Sequence, residues 1–174
     1  ALNANFVTLP LFVLMGVFVF RAALAEDIYE AAQAWLGNRR GGLAMATVAA
    51  CGGFASISGS SVATAATMAK VSIPPMRKYS FNEGFAAGTV AAGGTMGILI
   101  PPSAALIVYG ILTEQSIGDL FIAGIIPGII TILLYITVIW LVARFWPHLA
   151  PRAPKSSWSV RWHTLSKIWA VLAL

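Results

Sequence analysis

Charged residues are scarce in this sequence. Only 10% of the 174 residues are charged and 59% are hydrophobic, with a mean hydropathy of +0.84, whereas about 25% of the residues of an ordinary soluble domain are charged. This shortage excludes a soluble globular core and predicts a chain surrounded by lipid or partner helices. The net charge of +5 comes from basic residues spread in ones and twos between apolar segments. That spacing excludes a nucleic-acid-binding surface.

Residues that carry chemistry are also few. The single cysteine, Cys51, allows no internal disulfide, and no Cys/His cluster has the spacing of a zinc site. The sequence contains no nucleophile–base pair, phosphate-binding loop or metalloprotease motif. The lack of these motifs argues against an enzyme and against an ATP-driven motor. It opens at Ala1 without a starting Met or a basic n-region, so we interpret Ala1 as an internal point of a longer protein.

Apolar stretches of membrane-crossing length occur near both ends of the sequence. Phe6–Leu24 is long enough for a hydrocarbon core of about 30 Å and predicts a first span. Glu26–Leu36 places its apolar residues at helical spacing, which predicts an amphipathic helix at the membrane interface. Leu120–Ala143 predicts another crossing. A linker rich in proline, serine and basic residues follows it.

The uncharged stretch Gly41–Ala69 has basic residues at both ends. Arg39 and Arg40 precede it and Lys70 follows it, and the positive-inside rule places such residues in the cytoplasm. A single crossing would leave one basic group on the wrong side. Two crossings fail on length, because about 15 helical residues rise only about 22 Å. The stretch therefore predicts a re-entrant helical hairpin with its polar tip at Ser56–Ser61.

A second uncharged stretch, Gly84–Thr113, has in its middle the three glycines Gly93, Gly94 and Gly97, followed by Pro101 and Pro102. A proline pair cannot continue a regular helix, because proline lacks a donor and restricts the residue before it. We therefore predict a discontinuous transmembrane helix. Its two halves run from Glu83 to about Gly93 and from about Ser103 to Leu112, with an unwound segment between them.

The charge distribution predicts one orientation for these segments. Basic residues in 39–40, 77–78 and 144–155 face the cytoplasm, whereas 114–119 face the periplasm. The fold class predicted is an all-α polytopic membrane protein with a re-entrant hairpin and a discontinuous helix. Its segments are 1–37 (span and interfacial helix), 38–79 (hairpin), 80–116 (discontinuous helix), 117–146 (third crossing) and 147–174 (cytoplasmic linker and start of a further helix).

The hairpin tip and the helix break together predict an ion site. Hydroxyl and carbonyl oxygens suit a hard cation, and half-helix N-termini attract an anionic substrate. Because neither uncharged stretch contains Asp, Glu, Lys or Arg, sodium coupling is favoured over a carboxylate proton relay. We expect Ser60 and Thr95 to lie close together. The predicted sodium-binding residues are Ser56, Ser58, Gly59, Ser60, Ser61, Gly93, Gly94, Thr95 and Gly97.

Four motifs in order along the chain resemble one known family. They are Pro10–Gly16, the tip Ile57–Ala63, the segment Ala91–Ser103 and Ala123–Gly128. Together they look like the large membrane subunit of tripartite ATP-independent periplasmic (TRAP) transporters, and the similarity extends from about Pro10 to Phe145.

The resemblance implies an elevator-type ion-transporter fold with two inverted repeats, in the multi-pass membrane subunit of a bacterial inner-membrane importer. Its implied partners are a small membrane subunit and a periplasmic binding protein that delivers an organic acid, often a C4-dicarboxylate or a sialic acid. By motif, Ser58–Ser61 and Gly93–Gly97 would contribute to one sodium site. The residues expected at the substrate are Ser60, Ser61, Pro101, Pro102 and Ser103.

Two alternatives stay open at the level of sequence. The first is a sodium- or proton-coupled carboxylate carrier of the same hairpin architecture that works without a binding protein. The second is a channel or membrane scaffold whose small residues only pack helices together.

Overall fold

The computed structural model describes residues 24–153 and 157–167. Its regular elements are all helices, which confirms the predicted all-α class for the described residues. The predicted first span lies outside the described residues, except for Leu24. The helices are α1 (Leu24–Leu36), α2 (Gly42–Ser58), α3 (Ser61–Lys78), α4 (Glu83–Gly94), α5 (Met96–Leu99), α6 (Ala104–Leu112), α7 (Ile117–Phe145) and α8 (Trp158–Lys167).

Helix α1 is amphipathic and covers the segment where the sequence predicts such a helix. It buries Ile28 and Tyr29 while Glu26 and Glu30 stay exposed. The buried stripe packs on α2. Helix α1 also packs against α8, where the ring centroid of Trp35 lies 6.3 and 6.4 Å from those of two tryptophans in edge-on geometry. Helix α1 therefore contacts both the hairpin and α8.

The two arms of the hairpin are α2 and α3, joined by the two residues Gly59 and Ser60. Helix α2 is the centre of the bundle, because it is apolar or small on every face and packs against α1, α3, α4, α5 and α7. The second arm continues past Ala69, the last residue of the uncharged stretch, to Lys78. Its charged residues, including Lys70, are exposed on one face, so their presence does not end the helix. Arms of 17 and 18 residues rise about 26 Å each.

The discontinuous helix has a shorter break than the sequence predicts. The sequence predicts an unwound chain from about Gly94 to Pro102, and this is wrong for its first part, because Gly94 and Gly97 are helical. Only Thr95 interrupts α4 and α5, and extended backbone begins at Ile100 and ends at Ser103, the residue before α6. The Pro101–Pro102 peptide bond inside this break is cis.

Helix α7 is 29 residues long and rises about 43 Å. Of the described residues, it and the stretch Glu83–Leu112 are long and apolar enough, by length and composition, to cross a membrane. Gly128, Ile139 and Ala143 of α7 face the bundle. Many of its other apolar side chains are exposed, including those of Ile126, Ile130, Leu133, Leu134, Val138 and Trp140.

One end of the bundle gathers chain segments that are distant in sequence. The amide of Gly41 donates to the carbonyl of Ala150 at 3.1 Å, and the amide of Asn82 donates to that of Leu149 at 3.1 Å. Arg40 forms an antiparallel backbone bridge with Arg152. These hydrogen bonds therefore hold together the chain around 39–41, 82 and 149–152. The basic residues in and near these segments are those predicted to share one side of the membrane.

Candidate functional site

The hairpin turn consists of one residue that ends a helix and one that begins the next. Gly59 has φ 58° and its amide donates to the carbonyl of Ala55 at 3.0 Å, a left-handed helix end that glycine adopts without a steric cost. Ser60 has extended backbone, and its hydroxyl accepts a hydrogen bond from the amide of Ala63 at 3.4 Å. Serine is a preferred residue at this position. The Gly-Ser pair therefore specifies the turn locally.

Two hydroxyl groups are linked below the turn. The hydroxyl of Thr64 donates to the carbonyl of Ser60 at 2.8 Å and lies 2.7 Å from that of Ser58. Because Thr64 has one hydroxyl proton, the proton between the two hydroxyls comes from Ser58. Ser58 keeps its oxygen lone pairs as acceptors, and both side chains are buried. The hydroxyl oxygen of Ser58 is therefore held in a fixed orientation and can still accept a hydrogen bond or coordinate a cation.

Glycines let the broken helix approach both arms of the hairpin. A Cβ added at Gly93 would lie 2.6 Å from Sγ of Cys51 on α2, and one added at Gly94 would lie 2.6 Å from Cβ of Ala65 on α3. Contacts that short do not occur between real side chains, so the groove between the arms admits only glycine here. From the sequence, these glycines are predicted to break the helix. In the structure they instead allow the helices to pack closely.

The closest approach is at the tip. A Cβ added at Gly97 would lie 2.5 Å from the carbonyl oxygen of Ser60 and 2.7 Å from the nitrogen of Ser61. From the far side of the break, the amide of Ala104 donates to the carbonyl of Gly59 at 3.2 Å. Both sides of the break therefore contact the hairpin turn.

The start of α6 has an unusual polar side chain. Ser103 is fully buried, and its hydroxyl has no hydrogen-bond partner among the described residues. A buried hydroxyl without a partner costs about 1–3 kcal/mol, and here it lies at a helix N-terminus where backbone amides favour negative charge. Pro101 and Pro102, immediately before it, are half-buried.

Two glycines one turn apart on α7 lie against the break in the discontinuous helix. A Cβ added at Gly124 would lie 3.1 Å from Cγ of Pro101 and 3.2 Å from the carbonyl of Leu99. One added at Gly128 would lie 3.1 Å from Cγ1 of Ile100. The motif at 123–128 therefore keeps the irregular backbone close to a long, regular helix.

Two predicted ligands have exposed side chains. The hydroxyl of Ser56 donates to the carbonyl of Gly53 at 2.7 Å. The hydroxyl of Thr95 donates to the carbonyl of Ala92 at 2.7 Å and lies 3.3 Å from the hydroxyl of Tyr135. The glycine two residues after Thr95, Gly97, is the residue of this segment that lies against the backbone of Ser60.

Thr64, just after the tip, is not among the site residues predicted from the sequence. A signal for it exists, because a threonine four residues after a helix N-cap can hydrogen-bond back to the N-cap carbonyl. The sequence does not show that Ser58, on the other arm of the hairpin, lies next to the Thr64 hydroxyl.

The donor set of the site consists of neutral oxygens. The described part of the chain holds no cluster of three or more His, Cys, Asp or Glu side chains suited to a metal ion. Hydroxyls at Ser58, Ser60 and Ser61 and carbonyls near the turn are the oxygens offered there. Such a set fits a hard monovalent cation, and the N-termini of α3 and α6 fit an anion beside it.

The sequence was compared with known proteins. Residues 2–174 match the family model described as "Tripartite ATP-independent periplasmic transporter, DctM component". The chain is 45% identical over 136 residues to the C4-dicarboxylate TRAP transporter large permease protein DctM of Pseudomonas aeruginosa, which covers 78% of this chain and 32% of the relative.

Two other relatives have different substrates in their names. The ectoine TRAP transporter large permease protein TeaC of Halomonas elongata is 34% identical over 160 residues, covering 91% of this chain and 36% of the relative. The sialic acid TRAP transporter permease protein SiaT of Haemophilus influenzae is 32% identical over 148 residues, covering 85% and 24%. The chain spans about a third or less of the length of these relatives.

Proposed function

We propose that this chain forms the first repeat of the large permease subunit of a sodium-driven organic-acid importer. The chain belongs to the DctM family of tripartite ATP-independent periplasmic transporters. The family resemblance predicted from the sequence motifs is confirmed by this membership. The permease relatives are transporters by name, which supports a role in transport and not in catalysis.

Sodium enters this proposal as a co-substrate that binds where the hairpin turn meets the helix break. The observation that carries the proposal is the double contact of the turn, with Gly97 on one side of the break and Ala104 on the other. Irregular backbone at membrane depth is tolerated only where protein or a wet cavity surrounds it. An ion bound at this junction would hold the two elements together, and its loss would release them.

The substrate is an organic acid in this proposal. The C4-dicarboxylate and sialic acid in the names of the relatives both carry a carboxylate. In this chain the N-terminus of α6, with the unpaired hydroxyl of Ser103, is the place that favours such a group. Ser60 and Ser61 would border the same space from the hairpin, and Pro101 and Pro102 would shape its wall.

The proposal includes the cellular setting of the whole protein. We place it in the bacterial inner membrane as a multi-pass subunit that works with a small membrane subunit and a periplasmic binding protein. An elevator movement of the site-bearing elements would carry the substrate across. The convergence of 39–41, 82 and 149–152 at one end supports the topology in which these segments share the cytoplasmic side.

Transport by reconstituted protein tests this proposal. The full-length permease with its small subunit and binding protein is placed in proteoliposomes and given radiolabelled succinate or sialic acid. We expect uptake that requires an inward sodium gradient, and counterflow when unlabelled substrate is inside. Uptake driven equally well by a proton gradient would contradict sodium coupling. Absence of counterflow with both substrates, while they equilibrate passively, would indicate a channel.

A further inference from the structure

Four arginines surround one open cavity at the end of the bundle where distant segments meet. The cavity has a volume of about 730 Å³. Its lining comes from the loop after α1, from the last turns of α7 and from the segment after α7. The lining residues are Asn38, Arg39, Arg40, Trp140, Arg144 and Arg152.

Backbone hydrogen bonds hold two of these arginines opposite each other. Arg40 and Arg152 form an antiparallel bridge, and beside it the amide of Gly41 donates to the carbonyl of Ala150. Like charges directly opposite in such a pair are destabilising. The fold therefore places two like-charged residues opposite each other at the backbone, and both line the same cavity.

No carboxylate of this chain neutralises the four arginines. All six acidic residues lie within the described range 24–153. In the part of the chain that the structure describes, the ion pairs are Arg77 with Glu83 and Lys167 with Glu30. The cavity therefore presents positive charge without an internal partner.

The cavity also adjoins an exposed apolar surface. Trp140 lines it and is 52% exposed, and the exposed apolar face of α7 extends from this residue through Val138, Leu134 and Leu133. A ligand with a phosphate and a long apolar chain can use both surfaces at once. A free phosphate ion would use only the arginines.

We propose that this arginine cavity binds the phosphate of an anionic phospholipid, with the acyl chains lying along α7. Guanidinium groups bind phosphate oxygens through paired, charge-assisted hydrogen bonds. Tryptophan favours the headgroup level of a bilayer, and anionic lipids in the cytoplasmic leaflet attract basic residues near the surface. That leaflet is the one to which the proposed topology assigns these arginines.

The test is lipid binding to the purified full-length permease with its small subunit in detergent. Native mass spectrometry compares added phosphatidylglycerol with phosphatidylcholine for the wild type and for Arg144→Gln and Arg152→Gln. We expect preference for phosphatidylglycerol and a loss of about fivefold in its affinity with each variant, which corresponds to about 1 kcal/mol per basic residue. Lys78→Gln is the matched control, because it removes one exposed basic charge outside the cavity.

Four results would overturn this proposal. Equal affinity for the two lipids, or equal loss in Lys78→Gln, would mean that the arginines form no specific site. Competition by inorganic phosphate at the concentration where the lipid binds would assign the cavity to a soluble anion. Lower melting temperatures of the arginine variants without added lipid, together with no lipid binding to the wild type, would assign it to an acidic segment of the rest of the protein.

Discussion

The backbone amide of Ala104 donates a hydrogen bond to the carbonyl oxygen of Gly59 across 3.2 Å. This bond joins the first residue of α6 to the residue that ends α2, although 45 positions separate them in the sequence. With the contact between Gly97 and Ser60, it makes the hairpin turn the meeting point of both halves of the discontinuous helix.

A methyl group at position 97 is expected to push the junction apart. In Gly97→Ala, the new Cβ meets the backbone of Ser60, which cannot rotate away as a side chain could. Overpacking of this kind costs about 1–3 kcal/mol. We expect a lower melting temperature of the full-length protein and weaker apparent sodium affinity in uptake assays.

Gly88→Ala is the matched control for this change. No atom lies within 4 Å of a Cβ added at Gly88, and alanine is the better helix former there by about 0.5–1 kcal/mol. It should melt at or above the wild-type temperature. Wild-type sodium affinity and stability in Gly97→Ala would show that the close contact has no role in ion binding.

Removal of the Thr64 hydroxyl is expected to disturb the tip without changing its volume. Thr64→Val leaves Ser58 and the carbonyl of Ser60 without their shared partner, at a cost of about 1–3 kcal/mol for buried groups. Sodium-dependent uptake and thermal melting of the full-length protein measure this effect. Thr89→Val, whose hydroxyl bonds only to the carbonyl of Phe85 in its own helix, should have less effect on sodium dependence. Equal shifts in both variants would contradict a special role for Thr64.

Removal of the Ser103 hydroxyl is expected to affect protein stability and substrate transport differently. In Ser103→Ala, a buried hydroxyl without a described partner is lost, so the melting temperature should stay equal or rise. If the hydroxyl binds substrate, KM for uptake should rise by about tenfold, which corresponds to about 1.4 kcal/mol. A lower melting temperature with unchanged KM would mean that the hydroxyl is structural.

Single cysteines test the topology. In a Cys51→Ala background, Ser80→Cys and Ser157→Cys should react only with membrane-permeant reagents in intact cells. Gln115→Cys should react with impermeant reagents from the periplasm. All three positions are exposed, so access depends on the side of the membrane. Labelling of position 80 from the periplasm would contradict the re-entrant hairpin.

The place of the hairpin turn could be predicted because its determinants are local. A glycine that ends a helix and a serine that begins the next stand side by side at Gly59 and Ser60, and no distant residue is needed to specify that turn. The extended backbone around Pro101 and Pro102 follows for the same reason, since proline excludes regular helix by its own covalent structure.

The role of the glycines could not be predicted from the sequence. A glycine that breaks a helix and one that admits a neighbour both simply lack a Cβ, and only the neighbour decides between them. At Gly93, Gly94 and Gly97 that neighbour is Cys51, Ala65 or Ser60, which tertiary packing brings from another part of the chain. The exposure of the Ser56 and Thr95 side chains likewise depends on how the helices pack, which the sequence does not show.

The hydroxyls of the hairpin tip are the proposed sodium ligands. Sodium-titrated uptake of substrate by the full-length permease with its partners, at matched expression, tests it most directly in Ser58→Ala, Ser60→Ala and Ser61→Ala. Loss of one ligand worth about 1.4 kcal/mol raises the half-maximal sodium concentration about tenfold, and we expect this in at least one variant. Ser166→Ala on α8, whose hydroxyl is exposed and bonds to the carbonyl of His163, should leave it unchanged. Wild-type sodium dependence in all three tip variants would contradict the account and leave the tip as a packing element.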